Sequence, residues 1–195
     1  MDDEKQYYSL AHQYLNKKDY DKARHYMTYV LNLRYSIYGE IDHVETASVL
    51  HQLGDICMSQ KKTDDAETFF FSALTMKKNL YPKGHISLNN TLNNYANFLL
   101  QQGVFDVSNV FFDEILETEP FLHNQEINDV NKERCVERLY ILINSANANL
   151  QLNKWKKATC RYKEALNLLC KLNCPVLEKD VGPFLRTTLN RISLY

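Results

Sequence analysis

Glycine and proline are scarce in this chain, five and four among 195 residues. Few positions therefore force a turn or break a helix. Alternation of Val, Ile or Thr with polar residues, the mark of a half-buried strand, is missing. No apolar run reaches the roughly 18 residues that a membrane-spanning helix requires. An excess of charge is missing too, with 23 basic against 24 acidic residues and a formal net charge of −1. Such a balance supplies no general attraction to nucleic acid or to an anionic membrane. The start, MDDEKQYYSLAHQYL, lacks the basic region, apolar core and small-residue cleavage site of a secretory signal. The expectation is a cytoplasmic protein that neither inserts into membrane nor binds nucleic acid. Cysteines number five, an odd count dispersed through helical patterns, which argues for reduced thiols. Cys170 and Cys174 share a helical face, but no second pair or nearby histidine completes a metal-ligand set. There is no HExxH motif and no glycine-rich phosphate loop. No cofactor and no metal is expected.

What remains is amphipathic helix separated by short turns, and it recurs. TLNNYANFLLQQGVFDVSNVFFDEILETEP, residues 91 to 120, places Leu92, Tyr95, Ala96 and Leu99 on one helical face. Gly103 follows as a left-handed terminator. Phe105, Ser108, Phe111, Phe112, Ile115 and Leu116 then mark the buried face of a second helix, which Pro120 stops. So short a connection makes the pair antiparallel. Upstream, Leu50, Leu53, Gly54 and Cys57 precede Ala66, Phe70, Ala73 and Leu74. Further upstream, Tyr7, Leu10, Ala11 and Tyr14 precede Ala23, Met27, Val30 and Leu31. Downstream, Leu142, Ala146 and Leu150 precede Ala158, Tyr162, Ala165 and Leu166. The spacing is 43 residues from Leu31 to Leu74, 42 from there to Leu116, and 50 from there to Leu166. One hairpin cannot bury its own apolar face, whereas stacked hairpins share a continuous core. The predicted fold is an all-α solenoid of four antiparallel helical hairpins and a C-terminal helix.

The order of residues within each unit resembles the tetratricopeptide repeat. Small residues stand at Ala11, Gly54, Ala96 and Ala146, and again at Ala23, Ala66, Ser108 and Ala158. Tyr14 supplies the first-helix aromatic; Cys57, Leu99 and Asn149 depart from it, Asn149 most. Lys18 and Lys61 stand where Gly103 and Asn153 make the turn, so the first two turns read as less typical. The period exceeds the roughly 34 residues of the common repeat. With Gly39/His43 and Gly84/His85 in the connections, it resembles the kinesin-light-chain variety. The resemblance implies one right-handed solenoid domain with repeats near 4–38, 44–81, 88–120 and 132–172. A polar insert, His123 to Asn131, precedes the fourth repeat, and Asn128 or Asp129 is expected to cap its first helix. After NCPVLEKDV, a closing helix is expected near 182–195, with Pro183 in its first turn.

The resemblance further implies a non-enzymatic protein whose first helices line a concave groove. The non-core positions of those helices hold Tyr8 and His12, His51 and Asp55, Asn93 and Asn97, then Tyr140, Ile143 and Asn147. Asn93, Asn94 and Asn97 resemble the asparagines with which such grooves hold an extended peptide, a task that suits a carboxamide because it both donates and accepts. The carboxylate clamp of chaperone-binding members needs Lys and Asn where this chain has Tyr8 and His12. His51 and Asp55, four apart, would touch, but no nucleophile or oxyanion donor accompanies them. The lysine run KWKKATCRYK reads as a solvated outer face. The predicted role is an adaptor that binds a peptide or helix of a partner protein. The alternative is a subunit held permanently in a larger complex through its outer face and last helix.

Overall fold

A computed structural model of the protein describes residues 2–39, 41–118 and 127–192. These residues contain nine α-helices and no strand: α1 Asp2–Asn16, α2 Tyr20–Tyr38, α3 Val44–Ser59, α4 Thr63–Leu80, α5 Ile86–Gln101, α6 Phe105–Thr118, α7 Lys132–Gln151, α8 Trp155–Leu172 and α9 Pro175–Ile192. Pro120 and the first part of the polar insert lie outside the described residues. The chain divides into two compact units, Met1–Phe98 and Leu99–Tyr195.

In the first unit α1 packs on α2, α3 on α4, and α2 on α3. Its core includes Ala11, Ala23, Met27, Val30, Leu50, Leu53 and Ile56. Burying each of the larger of these side chains contributes about 1.5–3 kcal/mol. Two small-residue positions set how closely the helices approach. An added Cβ at Gly54 would lie 2.8 Å from the ring of Phe70, which is itself fully buried. The equivalents Ala11, Ala96 and Ala146 are also fully buried. In each second helix a small residue is followed four positions later by a large one: Ala23 and Met27, Ala66 and Phe70, Ser108 and Phe112, Ala158 and Tyr162. All eight are at 0% exposure, so the alternation read from the sequence is the packing itself. Phe105 and Phe111, expected in the core, are half-buried instead.

The four hairpin turns are geometrically equivalent, which the residue types conceal. Lys18, Lys61, Gly103 and Asn153 adopt φ of 58°, 59°, 80° and 57°. Each donates its N–H to the carbonyl three residues back: Leu15, Met58, Leu100 and Leu150. The next N–H in each turn, from Asp19, Lys62, Val104 and Lys154, reaches five residues back to Tyr14, Cys57, Leu99 and Asn149 at 2.8–2.9 Å. This Schellman arrangement satisfies helix-end carbonyls and launches the following helix. The two lysine turns are therefore not atypical; they adopt the same shape with a side chain that disfavours it.

The connections Tyr38 to His43 and Tyr81 to His85 also share one device. His43 stacks on Tyr38 at 4.1 Å, and His85 on Tyr81 at 4.0 Å. Each imidazole Nδ1 accepts the N–H two residues on, from Glu45 and Ser87, and so caps the next helix. Arg34, on α2, donates to Glu4 of α1 and Glu45 of α3 and so ties three helices. On another face of the first hairpin, four tyrosines stack in series. Tyr14 lies 5.5 Å from Tyr26, Tyr26 lies 6.2 Å from Tyr7, and Tyr7 lies 5.5 Å from Tyr29.

In the second unit α6 packs on α7, α7 on α8, and α8 on α9. Part of its interior is polar. Asn149, at the position where an aromatic was expected, donates to Asn109 Oδ1 at 2.6 Å and to the Ser145 carbonyl at 2.8 Å. Asn109 in turn donates to Asp113, which also receives Arg161 at 3.0 Å and Lys157. The lysine run thus splits: Lys154, Lys156 and Lys163 are solvated, while Lys157 and Arg161 are engaged with α6. The cap of α7 also differs from expectation. Asn131 is the capping position, and Asn128 Oδ1 accepts the N–H groups of Val130 and Asn131 just before it.

The last helix begins earlier than residue 182. Asn173, at φ 44°, ends α8, and the Cys174 carbonyl accepts the Glu178 N–H to start α9. Pro175 is the first residue of α9, so Pro183 sits inside the helix. Both prolines satisfy a first-turn signature. The earlier one wins because it aligns Leu177 and Val181 with Leu185, which is fully buried. An Arg186–Glu178 ion pair spans the interior proline.

Two stability outcomes follow from this packing. Gly54→Ala should lower stability by about 1–2 kcal/mol, because strain against Phe70 outweighs the helix propensity gained. Lys61→Gly should raise stability by about 0.5–1 kcal/mol by relieving the left-handed side chain. Urea denaturation followed by circular dichroism measures both.

Candidate functional site

The predicted groove residues fall into the two units, with Tyr8, His12, His51, Asp55, Asn93 and Asn97 in the first and Tyr140 and Asn147 in the second. Within the first unit they come together in pairs. Tyr8 and His12, one turn apart on α1, bring their rings to 4.6 Å. His51 Nε2 lies 3.3 Å from Asp55 Oδ2 on α3. Asn97 Nδ2 donates to Asn93 Oδ1 at 3.3 Å on α5. A surface groove of about 570 Å³ beside Tyr8 is walled by Lys5, Ser9, Arg34, Tyr38 and Ser48.

Neighbouring first helices are joined by carboxamides that sit one residue beyond the predicted positions. Gln52 of α3 donates to Tyr8 Oη of α1 at 2.7 Å. Asn94 of α5 has its Nδ2 3.2 Å from His51 Nε2 and 3.1 Å from Asp55 Oδ1 of α3. Gln52 and Asn94 occupy equivalent places, each holding the predicted aromatic or imidazole of the preceding repeat. Sequence reasoning grouped Asn94 with the other asparagines and passed over Gln52. Their shared spacing of 42 residues was the signal available.

Behind this surface lies a charge that the sequence did not disclose. Lys77 of α4 is buried, at 4% exposure. Its ammonium donates to Thr91 Oγ1 at 2.8 Å and to the Ser87 carbonyl at 3.1 Å. Thr91 Oγ1 lies 3.1 Å from His51 Nδ1. One imidazole tautomer directs donation toward Asp55, while the other would let His51 Nε2 accept from Asn94 and Thr91 donate to the Ser87 carbonyl. With the first, Lys77 donates to Thr91, Thr91 to His51 Nδ1, His51 Nε2–H to Asp55 Oδ2, and Asn94 to Asp55 Oδ1. A cation and a carboxylate thus end a chain that passes through an uncharged imidazole.

The titration of these groups agrees with that assignment. Burial first, and the Lys77 charge second, push the His51 imidazole down to about 4. Burial pushes Asp55 up to about 6, against the opposing Asn94 hydrogen bond and Lys77 charge. Lys77 is itself pushed down by burial, opposed by Asp55.

Other predicted positions behave differently. Asn147 accepts the hydroxyl of Tyr162, whose burial pushes it up to about 12, so the Asn147 carbonyl oxygen is already engaged. Tyr140 is exposed. Ile143 is buried at 7% exposure and belongs to the core rather than to a groove surface. Among the described residues no cluster of His, Cys, Asp or Glu has a metal-holding arrangement, and no helix is long and apolar enough to cross a membrane. All five cysteines are free thiols.

Residues 5–79 match the family model described as tetratricopeptide repeat. That match covers less than half of the chain, and the fold of the described residues is that of an all-α repeat solenoid. Among solved structures it is similar to the TPR-like repeats of a candidate kinesin light chain from Podosopora anserina. The TM-score is 0.74 at 11% identity, over 97% of this chain and 92% of that one. It is also similar to BtubC (BKLC) from P. vanneervenii, with TM-score 0.74 and 19% identity over 86% of this chain and 63% of that one. A tetratricopeptide repeat protein from Parabacteroides merdae gives TM-score 0.66 and 16% identity over 98% of this chain and 64% of that one. The chain thus spans just under two thirds of the length of the last two. The fold is thus similar to that of long-period, kinesin-light-chain-like repeats. No curated protein sequence matches the chain.

The His51–Asp55 environment makes stability depend on pH. Asp55 is raised from 3.8, so its contribution is fully present below about 3.8 and lost as pH rises through about 6. His51 is lowered from 6.5, so its contribution is present above 6.5 and lost as pH falls through about 4. Asp55→Asn removes the first effect, together with the smaller support Asp55 gives the Lys77 charge. Its side chain is 37% exposed, which reduces the gain through solvent screening. The variant should be more stable than wild type by about 1 kcal/mol at pH 8. The difference should vanish near pH 4, as measured by urea titration at each pH.

Proposed function

We propose that the protein is a non-enzymatic adaptor that holds an extended segment of a partner protein against the first helices of its repeats. The match of residues 5–79 to the tetratricopeptide-repeat model, a repeat used for protein interaction, supports the general role. The observation that carries the finer reading is the polar surface of α1, α3 and α5. There carboxamides join one first helix to the next and stand beside aromatic and imidazole rings. An extended peptide presents an N–H and a carbonyl at each residue, and amide side chains pair with both. Asn93 and Asn97 are the residues proposed to make those bonds, with Tyr8, His12, His51 and Asp55 supplying apolar and polar contacts beside them. Within the second unit, taken by itself, Tyr140 and Asn147 are the residues proposed to contact a partner.

A second reading, as a fixed subunit of a larger assembly, draws on α9. Val176 and Phe184 on that helix are 68% and 44% exposed, a surface that another subunit would cover.

A crosslinking pull-down from cells distinguishes the readings. Asn93→Ala/Asn97→Ala should deplete partners at least tenfold relative to wild type, as expected for the loss of two hydrogen bonds of about 1 kcal/mol each. An unchanged partner list would sink the groove reading. Loss of partners with Phe184→Ser alone would favour the assembly reading.

A further inference from the structure

Asp55 differs from two other acids on the first helices of the first unit, Glu4 and Glu45. Glu4 and Glu45 are both bound to Arg34. Asp55 forms no ion pair with any lysine or arginine among the described residues; its partners are the His51 imidazole and the Asn94 amide. The charged and titratable groups that face it are His51 on its own helix and Lys77 on α4, while α5 contributes the uncharged Asn94 and Thr91. Lys77 spends its donors on Thr91 and the Ser87 carbonyl and does not reach the carboxylate. Thr91, Lys77 and His51 are buried or nearly so, whereas the Asp55 side chain is 37% exposed. It is the charged member of the cluster that a ligand can touch.

We propose that Asp55 sets the specificity of the peptide surface by receiving the cationic side chain of a lysine or arginine in the bound partner segment. The proposal rests on the groove reading above and names the chemistry of the segment. The two amide and imidazole donors fix the carboxylate in place before the ligand arrives, so little is lost in ordering it. Charge complementarity selects the occupant. A carboxylate drawn partly out of water and without a direct ion pair to lysine or arginine gains from an ammonium or guanidinium, and it repels an acidic segment. The Tyr8 and His12 rings, on the adjoining first helix, add faces against which an aliphatic stem or a guanidinium can lie. Burial raises the proton affinity of Asp55, so the cation and a proton compete for the carboxylate and affinity for the cation falls on acidification.

The test uses the whole chain and three pools of short fluorescein-labelled peptides. The pools are identical and degenerate except for one fixed central residue: Lys, Ala or Glu. Near pH 7.5 wild type should bind the Lys pool about tenfold more tightly than the Ala pool, with the Glu pool weakest. Near pH 5, below the Asp55 value of about 6, the Lys preference should fall severalfold. Asp55→Asn should abolish the difference between the Lys and Ala pools at both pH values. His51→Gln, which keeps a donor beside the carboxylate, should retain the preference and its pH dependence. If wild type binds the three pools alike while Asn93→Ala/Asn97→Ala weakens all of them, Asp55 has no such role and the groove reading survives. If the asparagine variant leaves all pools unaffected, or no pool binds, the groove reading fails and this inference falls with it.

Discussion

The distance between paired helices is fixed by residues that have almost no side chain. Gly54 is the extreme case, with the Phe70 ring occupying the space where a Cβ would be. Elsewhere alanine serves, as at Ala11, Ala96 and Ala146. Because the helices approach this closely, Met27, Phe70, Phe112 and Tyr162 are sealed from water completely. Close approach also leaves only a tight turn to connect the helices of a hairpin. The left-handed residue then becomes obligatory, whatever its chemical type. Lysine at 18 and 61 shows the ranking of forces: dense packing along a whole hairpin outweighs a local backbone penalty of roughly 1 kcal/mol.

This ranking explains what could be read from the amino acids. Apolar and small positions were legible, because core burial dictates them residue by residue and their spacing repeats. The lysine turns were not, since their geometry is imposed from the helices on either side rather than chosen locally. Asn149 was recognised as a misfit, but its purpose required knowing that Asn109 of a neighbouring helix would meet it. A buried carboxamide reads as an error until its partner is known. Lys77 carries the same lesson. On paper it belongs to an ordinary lysine pair at a helix end, and only the fold turns its ammonium inward toward Thr91. The last helix was misplaced because two prolines offered equivalent start signals, and the choice lay with the buried face of Leu185.

The surface of the first helices has a division of labour that composition alone does not express. Gln52 and Asn94 look like ligand-binding amides, yet they are spent on bracing Tyr8, His51 and Asp55. Bracing of this kind matters for recognition, because a side chain already held in position loses little freedom when a partner arrives. It also carries a penalty. The carboxylate of Asp55 is held where burial disfavours its charge, and such arrangements concentrate where a protein binds rather than where it is merely stable. The first unit thus keeps a strained polar cluster on a scaffold whose remaining contacts are close-packed and apolar.

The tyrosine stack of the first hairpin has a spectroscopic consequence. Four rings spaced 5.5–6.2 Å apart couple as chromophores, so their near-ultraviolet circular dichroism reports the packing of α1 against α2. The single tryptophan, Trp155, belongs to the other unit, so its fluorescence reports a different part of the chain. Tryptophan fluorescence therefore monitors the second unit without any label, while the tyrosine signal, to which Tyr140 and Tyr162 also contribute, is weighted toward the first. Whether the halves melt as one cooperative body becomes a matter of overlaying two curves from the same sample.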